Sequence, residues 1–466
     1  LSSKSRSGRE ALFQAAFLSY QFQDYDGATR KFEQFMNEYP HSGLSRDSRW
    51  HLSWIRYLKG DYAGALKGFD EILEQKQRRR THQYWSKFSV EKIQYWKAMA
   101  YYRMNKLDEA KKLFEQIVKD PLWDYYRLTA QYRLDEIKNL QSLKSSGLSR
   151  EVASAAPVKT PLGLLPDGDG MKLFPGDAAD VSTSPTAGDE NSQESESEEE
   201  MTQTQQDADG DVGGDEGDES SSEDVAGTDE EQSVPVTDFK DPELKLRFLR
   251  ATALIRVGLK DWARWELYEI ERRTRNQDYL KMLMNAYEQM NFYHRSSYIS
   301  VVNFSQVRAK HTIDGVRSLW EFAYPLAYRE YVDKYAQAFN VPREFIWGIM
   351  RTESSYRYDV VSPVGAKGLM QLMPNTAKQV ARLMGDKTFN ERFLGEPEVN
   401  VRLGARYLQR LLKKFDDSVP LAAASYNAGP HRVEGWLASF GNLEMDEFIE
   451  HIPFVETRNY VKKVVR

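Results

Sequence analysis

The sequence predicts an all-α fold in which an α-solenoid of helical repeats precedes a separate C-terminal helical domain. Three observations carry this expectation. The first 140 residues place their aromatics and alanines at helical intervals with almost no strand alternation. Three stretches within them look alike: Asp24 to Ala28 before Phe32, Gly60 to Ala65 before Phe69, and Asn105 to Ala110 before Phe114. Helical periodicity then resumes at Asp241 with Leu244, Leu246, Leu249, Leu254 and Ile255, and runs through Trp262 to Tyr293.

Taken in order, each of the three stretches offers a polar turn, a small residue where two helices would cross closely, and an aromatic one turn later. Ala28 and Ala65 lie 37 residues apart, and Ala65 and Ala110 lie 45 apart. Those periods bracket helix–turn–helix repeats. The pattern resembles tetratricopeptide-type units with irregular spacing and an incomplete signature, and an ordinary helical bundle is the alternative. Trp50, Trp54, Trp85 and Trp96 occupy repeat positions, so they read as core rather than as platforms for sugar rings.

Residues 145–239 change character. Pro, Gly and Ser punctuate the stretch, and from Leu173 to Phe239 there are 22 acidic residues and no Lys or Arg. Few large apolar residues and dense charge of one sign cannot offset the chain entropy of folding, so the expectation is a disordered acidic insert. Asp207, Asp209 and Asp211 alternate as at the start of an EF-hand loop, but Val212 and Asp218 stand at its sixth and twelfth positions; a solvated acidic tract is the preferred reading. The division expected is 1–144 helical repeats, 145–239 insert, 240–318 a second helical region packed against the first, and 319–466 the C-terminal domain. Three units suit a chain of 466 residues.

Composition removes several classes. The chain has no cysteine, which excludes disulfide frameworks, thiolate metal sites and thiol nucleophiles. His82, His294 and His431 show no ligand spacing, so neither a metal nor a cofactor is expected. No stretch reaches the roughly 20 apolar residues that span a bilayer, and the mean hydropathy is −0.67. Outside the acidic tract 64 basic residues face 48 acidic ones, a net of +16, which suits polyanionic or mixed-charge polymers. Nucleic acid is not the expected partner: apart from Arg78-Arg79-Arg80 the cations are scattered and no nucleic-acid motif occurs.

The C-terminal domain is the informative part. Pro342 suits a first helical turn, and Phe345, Ile346, Ile349 and Met350 form one apolar face. Glu353 continues that face, so its carboxyl is expected to be partly desolvated with its pKa raised, toward about 6. The alternative is a helix-end glutamate exposed to water or paired with Arg351 or Arg357. Beyond it runs Ser362-Pro363-Val364-Gly365-Ala366-Lys367-Gly368-Leu369-Met370-Gln371-Leu372-Met373-Pro374, in which Gln371 and Met373 have the spacing of an extended segment. Farther on stand Ala423-Ala424-Ser425-Tyr426-Asn427-Ala428-Gly429-Pro430 and Ile452-Pro453-Phe454-Val455-Glu456-Thr457-Arg458-Asn459-Tyr460-Val461.

Together these four ordered blocks resemble the soluble lytic transglycosylases, bacterial enzymes that cut peptidoglycan glycan strands with a goose-lysozyme-like catalytic domain. The similarity spans about Pro325 to Val465 and is strongest to the large periplasmic type with a helical superhelix. The resemblance implies a lysozyme-like α-helical catalytic domain with Glu353 as the acid/base. It places Ser362 near the glycan and catalytic centre, and Gln371 and Met373 along the glycan groove. It puts Tyr426 and Asn427 in a turn whose tyrosine approaches the catalytic carboxyl, and Glu456 as a second glutamate facing the groove. The partner implied is the peptidoglycan glycan strand, with other cell-wall proteins a further expectation for the helical repeats, and the compartment implied is the periplasm. The N-terminal helical region is shorter than in the large members and the acidic insert has no counterpart there, so a closed helical ring is not expected.

The activity implied is non-hydrolytic cleavage of the β-1,4 bond after N-acetylmuramic acid, giving a 1,6-anhydro product. A muramidase that hydrolyses the same bond is the alternative, and a non-catalytic envelope scaffold a third. The piece from about Leu319 onward is expected to keep some activity by itself.

Overall fold

The structure is a computed structural model and describes residues 6–78, 87–119, 124–145 and 239–466. The acidic insert, the Asp207–Asp211 pattern, His82, Trp85 and Arg79-Arg80 lie outside the described residues. The N-terminal block comprises α1 (Arg6–Gln21), α2 (Tyr25–Glu38), α3 (Leu44–Leu58), α4 (Tyr62–Arg78), α5 (Lys87–Arg103), α6 (Leu107–Lys119) and α7 (Tyr125–Ser145). A second block comprises α8 (Pro242–Arg256), α9 (Lys260–Arg273), α10 (Gln277–Gln289), α11 (Tyr293–Asn303), α12 (Ser305–Lys310) and α13 (Arg317–Ala323). The C-terminal unit comprises α14 (Arg329–Phe339), α15 (Arg343–Ser354), α16 (Pro374–Leu383), α17 (Pro397–Lys414), α18 (Val419–Ala428), α19 (Pro430–Phe440), α20 (Met445–His451) and α21 (Val455–Val465).

One turn design sets the helical hairpins. Gln23, Gly60 and Asn105 take positive φ, and the next amide donates back across the helix end: Asp24 N to Ser19 O, Asp61 N to Arg56 O, and Lys106 N to Tyr101 O. This is the Schellman arrangement, which satisfies carbonyls that a helix terminus would otherwise leave bare. Five residues past each left-handed residue comes Ala28, Ala65 or Ala110, and nine past it Phe32, Phe69 or Phe114, all fully buried. The small residue lets two helices approach, and the aromatic fills the space one turn on. In the first two turns the Asp24 and Asp61 carboxylates cap the Gly27 and Gly64 amides at 2.9 Å. A Cβ on either glycine would sit within 2.1 Å of that carboxylate. The third turn has Lys106 and Glu109 instead.

The same turn recurs in the second block, where the sequence reading found no repeat. Gly258 and Asn291 have positive φ, and Leu259 N donates to Leu254 O and Phe292 N to Tyr287 O. Ala263 and Ser296 follow at five residues, and Leu267 and Ser300 at nine, all fully buried. Asp241 starts this block by accepting from the Glu243 and Leu244 amides, with Pro242 in the first turn.

Two apolar clusters organise the described residues. One is confined to Phe239–Leu319. The other runs from Phe13 through Trp54, Trp96 and Ile137 directly into Ala327–Val464. The first block therefore shares its core with the C-terminal unit, whereas the second block, expected to pack against the first, has a core of its own. Trp54 and Trp96 meet edge to face at 4.5 Å, both fully buried. They are core, as their repeat positions suggest, and Trp50 stacks on Trp54 and Phe69 at the same cluster.

Charge as well as apolar surface joins the first block to the C-terminal unit. Helix α20 and the residue before it carry Glu444, Asp446, Glu447, Glu450 and His451 into the junction, and the last four are buried. Arg103 pairs with Glu444 at 2.8 Å and Glu447 at 2.6 Å. Arg133 pairs with Asp446 at 2.8 Å, and the Tyr57 and Tyr95 hydroxyls donate to Glu447 and Asp446. Tyr20 and His451 Nδ1 are 2.8 Å apart. Buried charges persist only when paired in this way.

Candidate active site

Helix α15 delivers the central carboxyl. Phe345, Ile346, Ile349 and Met350 are buried along it, and the helix stops because Ser355 and Tyr356 both adopt left-handed φ. Glu353 falls in its last turn. A bare Cβ on Gly348 would lie 2.9 Å from the Val464 carbonyl oxygen; glycine thus lets α15 and α21 pack backbone against backbone. That approach brings Tyr460 of α21 onto Glu353, and its hydroxyl donates to Glu353 Oε1 at 2.6 Å.

Burial is the largest force on this carboxyl. It raises the Glu353 pKa from 4.5 to about 7; the Tyr460 hydrogen bond opposes the rise and the negative charge of Glu456 adds to it. The carbonyl end of α15 is negative as well. Neither arginine offered by the sequence neutralises Glu353. Arg351 turns away to the Lys463 carbonyl and lies over the Tyr324 ring, and Arg357 donates to Ser354 O at 3.3 Å. Glu353 is thus desolvated, as its place on the apolar face suggests, and sits near half-protonation at neutral pH.

The loop from Ser355 to Met373 wraps the carboxyl's surroundings and is internally tied. Ser354 Oγ donates to Leu369 O at 2.8 Å. Asn400 of α17 accepts from Met370 N at 2.8 Å and donates to the Lys367 and Leu394 carbonyls. Gly368, with φ +77°, passes so close to Asn400 that a Cβ would meet its amide at 2.4 Å. Isolated bridges pair Val361 with Lys367 and Lys367 with Leu372.

The nominated residues fall as follows. Ser362 is half-buried, and its Oγ accepts from the Ala366 amide at 2.9 Å, closing a turn. Gln371 does not lie in an extended strand: its φ is +45°, and its side-chain amide donates to Val360 O and Gly368 O within the loop. The turn at Gly368 to Gln371 breaks the alternation that the two-residue spacing with Met373 implies. Met373 is exposed at the start of α16. Burial pushes up the Tyr426 phenol and the nearby Glu353 charge adds to the rise, but its hydroxyl donates to Met370 O at 2.7 Å rather than to the carboxyl. Asn427 bridges two neighbours, donating to Glu456 Oε1 at 3.3 Å and accepting from Thr457 Oγ1 at 2.6 Å. Glu456 is exposed at the first turn of α21.

Tyr460, whose hydroxyl donates to Glu353, was not singled out by sequence. Its phenol is held protonated by burial and by the adjacent carboxyl, so toward that carboxyl it acts as a donor. The signal available was its position four residues after Glu456, on the same face of α21.

The chain resembles known proteins in both its C-terminal and its N-terminal parts. Residues 330–449 match the family model of the transglycosylase SLT domain, and residues 10–42 and 93–121 match that of a tetratricopeptide repeat. The chain is 40% identical over 152 residues to the soluble lytic murein transglycosylase of Escherichia coli K12, covering 32% of this chain and 24% of that protein. The soluble lytic murein transglycosylase of Salmonella typhimurium matches to the same extent. Among solved structures, a lytic transglycosylase Slt of Pseudomonas aeruginosa, an inactive mutant, superposes with a TM-score of 0.58 at 22% identity, over 99% of this chain and 56% of that one. The 70 kDa soluble lytic transglycosylase of Escherichia coli gives 0.51 at 19% identity, over 96% and 60%. These structural matches establish the fold: helical repeats joined to a lysozyme-like helical domain. The aligned part spans about a quarter of the length of the curated relatives.

Proposed function

We propose that this chain is a peptidoglycan lytic transglycosylase in which Glu353 is the only acid/base. The observation that carries the reading is a desolvated carboxyl with a pKa near 7, held by one phenolic donor inside the segment that matches the SLT domain. A group poised there is protonated often enough to give a proton and ionised often enough to take one back.

In the first step Glu353 donates its proton to the glycosidic oxygen leaving N-acetylmuramic acid, and the Tyr460 hydroxyl stabilises the carboxylate left behind. In the second, that carboxylate removes the proton from the same sugar's 6-hydroxyl as this oxygen attacks C1. The ring closes to the 1,6-anhydro product. An internal hydroxyl has an effective-molarity advantage over water of many orders of magnitude, so the site's task is to position the sugar and exclude solvent. Glu456 is exposed and bound to Asn427; in this account it tunes Glu353 and needs to supply no nucleophile.

Ser362, Gln371, Met373, Tyr426 and Asn427 are assigned to the glycan-binding groove. For Ser362, Gln371 and Tyr426 the role is to shape backbone, because their polar atoms hold the loop; Met373 is the exposed apolar contact. We place the enzyme in the periplasm, with peptidoglycan strands as its partner; no helix among the described residues is long and apolar enough to cross a membrane. Mass spectrometry of fragments released from purified peptidoglycan tests the reading. Muramic ends in the 1,6-anhydro form are expected, and reducing ends would make the enzyme a muramidase.

A further inference from the structure

Helix α21 carries two functional contacts on opposite faces. Tyr460 reaches Glu353 on one side, at 2.6 Å. Lys462, two residues on and therefore about 200° around the helix, points the other way, into the N-terminal block. Its ammonium is buried, 2.8 Å from Glu450 Oε2 and 2.8 Å from the Tyr126 hydroxyl of α7. Tyr126 also donates to the same Glu450 oxygen at 2.8 Å. Lys92 of α5 closes the group at 2.6 Å from Glu450 Oε1, with its ammonium 3.8 Å from the Trp50 ring centre. Arg458, also on α21, ties to the Glu450 backbone oxygen at 3.1 Å, and the Trp96 indole faces Glu450 Oε2 at 3.4 Å.

Glu450 is 1% exposed. Burial opposes its ionisation, but Lys462, Lys92 and Arg458 outweigh that and hold the carboxyl well below the usual range. An ionised group held on both sides in a dry junction is stiff, because moving any partner leaves a buried charge uncompensated. Among its partners Lys92, Tyr126 and Trp96 belong to the N-terminal block. Lys462, like Arg458, lies on α21 and is rigidly connected through that helix to Tyr460.

We propose that Lys92 and Tyr126 of the helical-repeat block are positioning residues for the catalytic carboxyl: by gripping Glu450 and Lys462 they fix the rotation of α21 and so keep the Tyr460 hydroxyl on Glu353. The lever is short. A rotation of α21 by about 10° moves a side-chain tip at roughly 6 Å radius by about 1 Å, enough to break a hydrogen bond of normal geometry. Helical repeats here do more than scaffold or bind partners; they complete the active site from behind. The inference takes Glu353 as the acid/base from the preceding section, although its first test does not depend on turnover.

Among the described residues the titratable groups acting on Glu353 are Tyr460 and Glu456 from α21 and Tyr426 from α18. The experiment is a carbon-13 NMR titration of glutamate-labelled full-length protein, the Glu353 signal being assigned by its loss in Glu353→Gln. Tyr460 favours the ionised form, so Tyr460→Phe raises the Glu353 midpoint. Tyr126→Phe, which removes one hydroxyl and no charge, is expected to raise it in the same direction, and so is Lys92→Met. Either change added to Tyr460→Phe is expected to produce no further rise from lost positioning. On purified peptidoglycan the two single variants are expected to lower kcat several-fold with KM unchanged. An unshifted midpoint in folded Tyr126→Phe overturns the proposal, as does a shift that simply adds to that of Tyr460→Phe. Should Lys92→Met fail to fold, Tyr126→Phe alone decides. The expected shifts in the variants, together with a wild-type protein that releases no anhydro product, would contradict the proposed function and leave the positioning intact.

Discussion

A carboxyl at position 353 ionises against burial, against the negative end of its own helix and against Glu456, with one phenol in favour. This has a consequence for stability as well as chemistry. Because the folded pKa of about 7 lies above the ordinary 4.5, the folded state binds the proton more tightly, and ionising Glu353 destabilises it. The penalty is absent below the unfolded pKa, grows as pH rises between the two values and is complete above the folded one. Glu353→Gln removes it. Thermal melts should therefore show the variant more stable than the wild type by about 3 kcal/mol at about pH 8 and nearly equal to it at about pH 4, and digestion of peptidoglycan should be lost at both. A variant that is less stable at high pH would show that Glu353 is a structural ion-pair partner. At this scale the sequence was informative about Glu353, since a carboxyl in register with an apolar face is visible in the spacing. It was uninformative about Tyr460, because a tyrosine on an amphipathic helix looks like any other core aromatic, and about Gln371, whose left-handed backbone belongs to a turn closed by Gln371 N on Gly368 O and Leu372 N on Lys367 O.

Among the elements, the decisive packing is α15 against α21. Gly348 lets them meet so closely that Gly348→Ala must push the Val464 carbonyl away from its 2.9 Å position relative to the new Cβ. Overpacking of this kind costs about 1–3 kcal/mol, and it should lengthen the Tyr460–Glu353 contact. The expected result is a lower melting temperature together with a higher basic limb in the pH profile of kcat/KM; an unchanged profile would mean the contact tolerates the displacement. The repeat hairpins show why some elements were legible and others were not. Three turns announce themselves by a phenylalanine nine residues on. The fourth and fifth have Leu267 and Ser300 there, and Ser300 fills its place by donating to Leu319 O at 2.6 Å. The backbone design is shared while the side-chain signature is not, so a residue-based pattern stops at the third.

Across the whole molecule, the N-terminal block and the C-terminal unit share one apolar core and a charged seam. Arg133 faces Asp446 and Glu444 there, and Asp446 is buried with its pKa lowered, the cost of burial being outweighed by Arg133 and Tyr95. Arg133→Met should cost about 3–5 kcal/mol, because it strands buried carboxylates, and the loss should diminish in acid as Asp446 protonates; urea melts at two pH values measure this. The same seam alters the expectation for residues 319–466 alone. Without the first block, Glu447 loses Tyr57 and Arg103, Glu450 loses Lys92 and Tyr126, His451 loses Tyr20, and the shared apolar core is opened, so that piece should be markedly less stable than the full chain. Nothing in the sequence marked this seam, since Lys92, Arg103, Arg133 and the acids of α20 are the residue types that usually face water. Only their pairing across more than 300 residues makes them interior.

In the proposed reaction one carboxyl carries the proton both ways and no solvent oxygen enters the product. Digestion of purified sacculi in water enriched in heavy oxygen, followed by mass spectrometry of the released muramic ends, tests it directly. Anhydro ends carrying no label are expected from the wild-type protein, and no release from Glu353→Gln. Labelled reducing ends, or undiminished release by that variant, would contradict it.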